Sequence, residues 1–97
     1  MRINELEPGM LLKPQDGHVW VEVPWRGSDG TVVGHYIKVM SSRYQPAENE
    51  EIRNENVLYL GDTTRETLPT PGRQIVLAWG RKMTVEPGSW RLISSIT

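Results

Sequence analysis

Apolar and polar residues alternate with a period of two along much of this chain. In the run 18–23 three valines share one face, while His18, Trp20 and Glu22 share the other. Such alternation is typical of a β-strand. Gly34, within the longest run, predicts a bulge or a sharp bend. The pattern predicts six or seven strands, drawn from Met10–Lys13, His18–Val23, Thr31–Met40, Val57–Leu60, Gln74–Trp79, Lys82–Val85 and Trp90–Ser94.

Turn signals separate these runs. Glu-Pro-Gly occurs at residues 7–9 and again at 86–88, each time ahead of an apolar run. Pro fixes φ for the second position of a turn, and Gly supplies the positive φ that a type II turn requires next. Because the two copies lie near opposite ends of the chain, they predict that the first and last strands meet. Residues 14–17 predict a hairpin turn, Asp29-Gly30 closes a loop that begins at Pro24, and Gly80-Arg81 predicts a two-residue type II′ hairpin.

Helical signals are confined to one segment. Residues 46–53 place Pro46 near the first position, acidic residues after it and Arg53 late, which predicts one or two helical turns. A solvated acidic loop is the alternative. Residues 62–72, with two prolines and four threonines, predict an extended loop. The predicted fold class is therefore all-β, in a single domain over residues 1–97 with at most one short helix.

The two ends of the chain resemble an SH3-like barrel. The resemblance lies in Leu6-Glu7-Pro8-Gly9-Met10-Leu11-Leu12, in the hairpin at Gly80, and in Val85-Glu86-Pro87-Gly88 before a terminal strand. It implies a small SH3-like barrel of five to seven short antiparallel strands, in which the last strand pairs with the first. The segment 41–56 departs from the compact family pattern. The chain also resembles small accessory proteins of tailed phages, which implies an accessory or structural role.

Composition limits the classes of partner. The chain contains no Phe and no Cys, and its formal net charge is −1. The absence of Cys excludes disulfides and thiolate metal sites, and the balanced charge disfavours a phosphate backbone. Large apolar volume must come from Trp and Tyr, which favour half-buried positions and interfaces. No apolar stretch is long enough to span a bilayer or to act as a signal peptide, so a cytoplasmic location is expected.

Catalytic and metal-binding patterns are weak. His18 and His35 fall on different predicted strands without the spacing of metal ligands. His35 is predicted to lie in the core or at its rim. The serines lie outside the recognised nucleophile motifs, and the loop 27–30 has an acid where a phosphate-binding loop needs Lys. We therefore expect no enzyme activity, no cofactor and no metal.

Aromatic and cationic residues stand together in three predicted loops. Trp, Tyr and Arg dominate interface hot spots, and the same residue types stack bases and hold phosphates. We therefore expect a module that binds a protein partner or itself. A single-stranded nucleic-acid binder is the alternative, and a third interpretation is that Trp rings cap the ends of the barrel beneath Arg stems. The candidate partner-binding residues are Trp25, Arg26, Arg43, Tyr44, Trp79 and Arg81, with Lys82 added for nucleic acid.

Overall fold

The structure is a computed structural model that describes residues 5–62 and 74–96. Within these residues eight strands form one sheet, and a 3-10 helix (Pro87–Leu92) precedes the last strand, so the predicted all-β class is confirmed. The strands are β1 (Leu11–Pro14), β2 (His18–Arg26), β3 (Val32–Ser41), β4 (Glu51–Arg53), β5 (Val57–Asp62), β6 (Gln74–Ala78), β7 (Arg81–Val85) and β8 (Ile93–Ser95).

The strand order is β4-β2-β3-β7-β6-β5-β1-β8. β1 pairs with β8 in antiparallel register, so the prediction that the first and last strands meet is confirmed. Two details differ from the prediction. The described residues form eight strands rather than five to seven, and β3 runs parallel to β7. Parallel neighbours require a long crossover connection, which here contains β4, β5 and β6. The likeness to SH3-like barrels stays a prediction.

The two Glu-Pro-Gly copies adopt different structures. In the first copy the Met10 amide donates to the Glu7 carbonyl at 3.2 Å and Gly9 has φ of 95°, which is the predicted type II turn. The second copy instead begins the 3-10 helix at Pro87, and Gly88 has no positive φ. The prediction of a strand over Trp90–Ser94 is therefore wrong for the residues up to and including Leu92.

Packing explains why the second copy is helical. The 3-10 helix buries Trp90 in the core, where its ring meets Tyr59 edge-on at 6.1 Å. It also buries Ser89, whose hydroxyl oxygen accepts a hydrogen bond from the Val39 amide at 2.9 Å. These contacts outweigh the local preference for a type II turn, since tertiary packing decides the conformation of short segments.

Two predicted hairpins also need correction. Between β6 and β7 the turn residues are Trp79 and Gly80, with φ of 52° and 82°, which defines a type I′ turn rather than type II′. At residues 14–17 the chain does turn, because the His18 amide donates to the Gln15 carbonyl at 3.0 Å. However, β1 pairs with β5 and β8 while β2 pairs with β3 and β4, so this turn does not close a hairpin.

The helical turns predicted for residues 46–53 are absent from the structure. Residues 42–50 form turns and irregular chain, and Glu51–Arg53 forms β4 beside β2. Edge pairing to an existing strand satisfies this backbone better than an isolated helix of two turns, which is marginal in water. The loop predicted for 62–72 lies, beyond residue 62, outside the described residues, as do residues 1–4 at the N-terminus. In the described ranges no helix is long and apolar enough to cross a membrane.

The core lies on one face of the sheet. It includes residues from β2, the second strand in the order, and from β8, the last strand, so the sheet curls around it. Trp20 and Trp90 are almost fully buried, which corrects the expectation that Trp would be half-buried here. The buried cluster contains Leu12, Trp20, Ile37, Val39, Val57, Tyr59, Val76, Ala78, Met83, Val85, Trp90 and Ile93.

Candidate functional site

The hairpin formed by β2 and β3 extends beyond the rest of the sheet. β4 pairs with β2 only at Trp20–Glu22, and β7 pairs with β3 only at Tyr36 and Ile37. Among the described residues, 24–26 and 32–35 therefore have no further strand beside them and form a two-stranded ribbon. We call residues 23–36 the hairpin arm.

The end of the hairpin arm is closed by a well-formed loop. The Gly27 amide donates to the Thr31 carbonyl at 2.8 Å, and the Arg26 guanidinium donates to the Gly30 carbonyl at 2.9 Å. Asp29 accepts from the hydroxyl and the amide of Thr31, and these hydrogen bonds lower the pKa of its carboxyl. The predicted closure at Asp29-Gly30 is thus observed.

Trp25 and Arg26 lie in β2 rather than in the loop that the sequence predicted. The register explains the difference, because Trp25 pairs with Gly34 and Arg26 pairs with Val32. Val33 is the extra residue of a bulge next to Gly34, where an irregularity was predicted. Trp25 is 40% exposed, and Val32 and Val33, in the other strand of the ribbon, are 45% and 44% exposed.

The Trp25 ring stands at right angles to the ring of Tyr36. Their centroids are 6.0 Å apart with an interplanar angle of 78°, the edge-to-face arrangement that aromatic pairs favour. Gly34, opposite Trp25, has no side chain to cover the indole. Sequence reasoning identified Trp25 but not Tyr36 or the two valines, although their positions in the alternating run 31–40 were a usable signal.

Arg81 and Trp79 belong to a different cluster, organised by the buried carboxylate of Glu22. Arg81 donates to Glu22 Oε1 at 2.6 Å, and Arg53 and His35 approach the carboxylate at 3.7 and 4.0 Å. Arg53 also pairs with Glu51 at 2.8 Å. Sequence reasoning missed Glu22 and Arg53, although a charge inside an apolar strand is an available signal.

Trp79 is covered by Arg53, whose guanidinium lies 5.1 Å from the centre of the indole ring. The ring is half-buried, and its Nε1 is buried with no acceptor among the residues that the structure describes. This arrangement resembles the third interpretation, in which Arg stems lie across capping Trp rings, except that the Arg comes from β4 rather than from the same loop. Trp79 and Arg81 are therefore less available to a partner than Trp25.

Tyr44 is held against β3. Its hydroxyl donates to Glu50 Oε1 at 2.5 Å, and the Lys38 ammonium lies 5.2 Å from the ring centre and 3.8 Å from Glu50. Lys38 is the cross-strand partner of the fully buried Val21, so these contacts place the 42–50 loop beside that residue, on the sheet face opposite the core. Arg43, next to Tyr44, is exposed in a turn where its amide donates to Ser41 Oγ at 3.2 Å.

The contact between Tyr44 and Glu50 predicts a contribution to folding stability that is lost in acid. Burial would raise the pKa of Glu50, but the Tyr44 hydroxyl, the Ala47 amide and Lys38 outweigh it, so the pKa is lowered. A carboxyl with a lowered pKa in the folded state stabilises the fold above its unfolded pKa, and this contribution is lost as pH falls through the folded pKa. Wild type should therefore melt above Glu50→Gln near neutral pH, and the difference should shrink as the pH falls below 4.5, the ordinary pKa of a Glu carboxyl. A difference that does not change with pH would contradict the assigned role of the Glu50 charge.

A second exposed apolar surface crosses the other half of the sheet. Leu11 pairs with Leu58, Leu58 pairs with Leu77, and the Ile96 amide donates to the Leu11 carbonyl at 3.0 Å. These four side chains form a line over neighbouring strands on the face opposite the core. Leu11, Leu77 and Ile96 are each 39–43% exposed. We call these four residues the aliphatic row.

The histidines lie apart from each other. His18 Nδ1 is 3.1 Å from the Asp16 carbonyl, and His35 is half-buried at the rim near Glu22. In the residues that the structure describes, no three His, Cys, Asp or Glu side chains form a group able to hold a metal ion. Comparisons with protein-family models, with curated proteins and with solved structures found no match.

Proposed function

We propose that this chain is a non-catalytic protein-interaction module that docks its partner through the hairpin arm. The observation that carries the proposal is the joint exposure of Trp25, Val32 and Val33 on a ribbon with no sheet neighbour among the described residues. A large ring at the surface is costly unless a partner covers it, and apolar patches on soluble proteins often mark interaction sites. The loop bonds of Arg26 and Asp29 hold the ribbon in shape before binding, which reduces the entropy cost of docking.

The arm is favoured over the aliphatic row because of its residue types. Trp and Tyr are enriched among residues that dominate binding energy, whereas Leu is under-represented. The arm combines Trp25 and Tyr36 in one edge-to-face pair, while the row is made of Leu and Ile alone. The row serves as the rival surface in the experiments below.

The positions of the cations favour a protein over a nucleic acid. Arg81 is paired with the buried Glu22, Lys38 with Glu50, and Arg26 donates to a loop carbonyl. Nucleic-acid affinity depends mainly on cations that neutralise phosphates, and a paired cation has already lost much of that capacity. The resemblance to phage accessory proteins supports a place for this module within a larger assembly, and the curled sheet that joins its first and last strands supports an SH3-like architecture.

Site-specific photo-crosslinking in the organism that encodes the chain tests the proposal. The photoreactive residue p-benzoylphenylalanine replaces Val32 in the arm, Leu77 in the aliphatic row, or Glu48 in the exposed 42–50 loop. We expect discrete protein adducts from position 32 and none from position 48. Adducts that form only at position 77, or nucleic acid as the species joined at position 32, would overturn the assignment. So would the absence of an adduct at all three positions.

A further inference from the structure

The end of the hairpin arm carries one positive and one negative charge beside its exposed apolar side chains. Arg26 and Asp29 are both exposed, and residues 23–36 contain no other Lys, Arg, Asp or Glu. Within the described part of the chain, neither of the two lies in an ion pair. The end of the arm therefore has no net charge, but it presents two charges of opposite sign that remain able to pair with another molecule.

The loop at the end of the arm holds both charged groups in place. Arg26 donates to the Gly30 carbonyl at 2.9 Å, and because this acceptor is neutral, the guanidinium keeps its charge and its remaining N–H donors. Asp29 accepts from the Thr31 hydroxyl at 2.7 Å and from the Thr31 amide at 3.1 Å, both through the single oxygen Oδ1. Since the two charges are positioned before binding, less side-chain entropy is lost when they pair with a partner.

Each open edge of the arm carries a feature that protects sheet edges from the addition of a strand. The Glu86 amide donates to the Ile37 carbonyl, so Ile37 faces β7 and its cross-strand partner Glu22 faces β4. By alternation Pro24 faces the same open edge of β2, where it offers no amide. On the β3 edge, the bulge at Val33 interrupts the regular ladder. Recognition therefore falls to the side chains at the end of the arm.

The exposed apolar area and the paired signs of charge fit a copy of the same surface. A surface with a net charge repels its own copy, whereas the end of the arm has none. An apolar patch bordered by charged groups is the usual composition of a protein interface, and complementary charges fix the orientation of the two partners. Across a two-fold axis, residue i of one copy meets residue j of the other, and j meets i. One cation and one anion at the same place therefore complement their own two-fold image.

We propose that the partner of the hairpin arm is a second copy of this chain, and that the two arms meet across a two-fold axis. This inference rests on the proposed docking role of the arm. Arg26 of each copy faces Asp29 of the other, which forms two equivalent ion pairs. Trp25, Val32 and Val33 of both copies cover one another between these pairs, which removes their exposed apolar area from water.

Sedimentation velocity of the wild-type chain tests the inference without any substitution. The arm offers a small contact area, so we expect a weak dimer whose fraction rises between about 1 μM and about 500 μM protein and decreases with added salt. Trp25→Ala with Arg26→Ala should abolish the dimer, whereas Leu77→Ser in the aliphatic row should leave it unchanged. A chain that stays monomeric at every concentration, or a dimer that only Leu77→Ser disrupts, would overturn the inference.

Two charge reversals locate the ion pairs. Arg26→Glu and Asp29→Lys each place like charges at both pairs of their own dimer and should weaken it roughly 5- to 30-fold. In the mixed dimer the introduced carboxylate faces the introduced ammonium, and the unchanged Asp29 faces the unchanged Arg26. We therefore expect a mixture of the two variants to form the mixed dimer with an affinity near that of wild type. Mixed dimers no tighter than the two variant dimers would contradict the pairing of Arg26 with Asp29.

A conservative variant separates the charge of Asp29 from its place in the loop. Asp29→Asn keeps an oxygen for the bonds with Thr31 and should weaken the dimer roughly 2- to 10-fold. An unchanged dimer would contradict the assigned pair. Photo-crosslinking at position 32 distinguishes this inference from the docking role itself. An adduct that contains only this chain, at twice its mass, agrees with both. An adduct with a different protein leaves docking at the arm intact and overturns the second copy as its partner.

Discussion

Replacement of Trp20 by Ala should unfold the isolated domain or come close to it. The Trp20 ring is completely buried in the core, opposite Val39 of β3. Truncation of a buried Trp costs about 3–5 kcal/mol, a large part of the roughly 5–15 kcal/mol that holds a typical domain folded. We expect the melting temperature to fall by roughly 12 °C or more, with Trp90→Ala showing a comparable loss. Circular dichroism during heating measures both.

Trp25→Ala with Arg26→Ala is the matched comparison. Trp25 is 40% exposed and contributes to the edge of the fold rather than to its centre. The double variant should melt within a few degrees of wild type, since surface changes typically alter stability by about 0.5 kcal/mol or less. If Trp20→Ala also melted near wild type, the position assigned to the core would be wrong.

Glu22→Ala should give the second large loss of stability. The carboxylate is buried and gathers Arg81, Arg53 and His35 from three strands. Removal of one partner from a buried ion pair costs about 3–5 kcal/mol, but both arginines keep some contact with water, so we expect about 1–3 kcal/mol. Urea unfolding measures the change.

Two further variants separate the charge of Glu22 from its packing. Glu22→Gln retains most of the side-chain volume while removing the charge, and should cost less than Glu22→Ala. Arg81→Ala should cost least, because Arg53 and His35 remain beside the carboxylate. A Glu22→Ala variant as stable as wild type would show that the cluster does not hold these strands together.

Most of the strands were predictable because each carries its own signal, whereas β4 was predicted as helical turns or an acidic loop. Alternation located most of them, and the positions of the two Glu-Pro-Gly copies indicated that β1 and β8 pair. Their conformations were not equally predictable. Gly9 follows its local preference, whereas the second copy forms a 3-10 helix because Ser89 and Trp90 are needed inside the fold. The parallel pairing of β3 with β7 leaves no local signal, since it depends on the path of the intervening chain.

The residue types of the candidate site could be predicted from the sequence, but the surroundings of each side chain could not. In the sequence, Trp25 and Trp79 are each followed closely by an arginine. Of these two rings only Trp25 is exposed, because Arg53 covers Trp79. The partner of Arg81 is Glu22, 59 positions earlier in the chain. Such pairings are set by strand order, which the sequence pattern does not specify. Tyr36 acquires its role only because the β2–β3 register places its ring against Trp25.

The affinity of the partner captured at position 32 for the Trp25→Ala, Arg26→Ala variant tests the docking role of the arm most directly. We predict that affinity falls by roughly 30-fold or more, as for a binding hot spot worth about 2 kcal/mol, while the melting temperature stays near that of wild type. Leu77→Ser should bind like wild type. Undiminished binding by the double variant, or a loss caused by Leu77→Ser instead, would contradict the assignment of the hairpin arm as the docking surface.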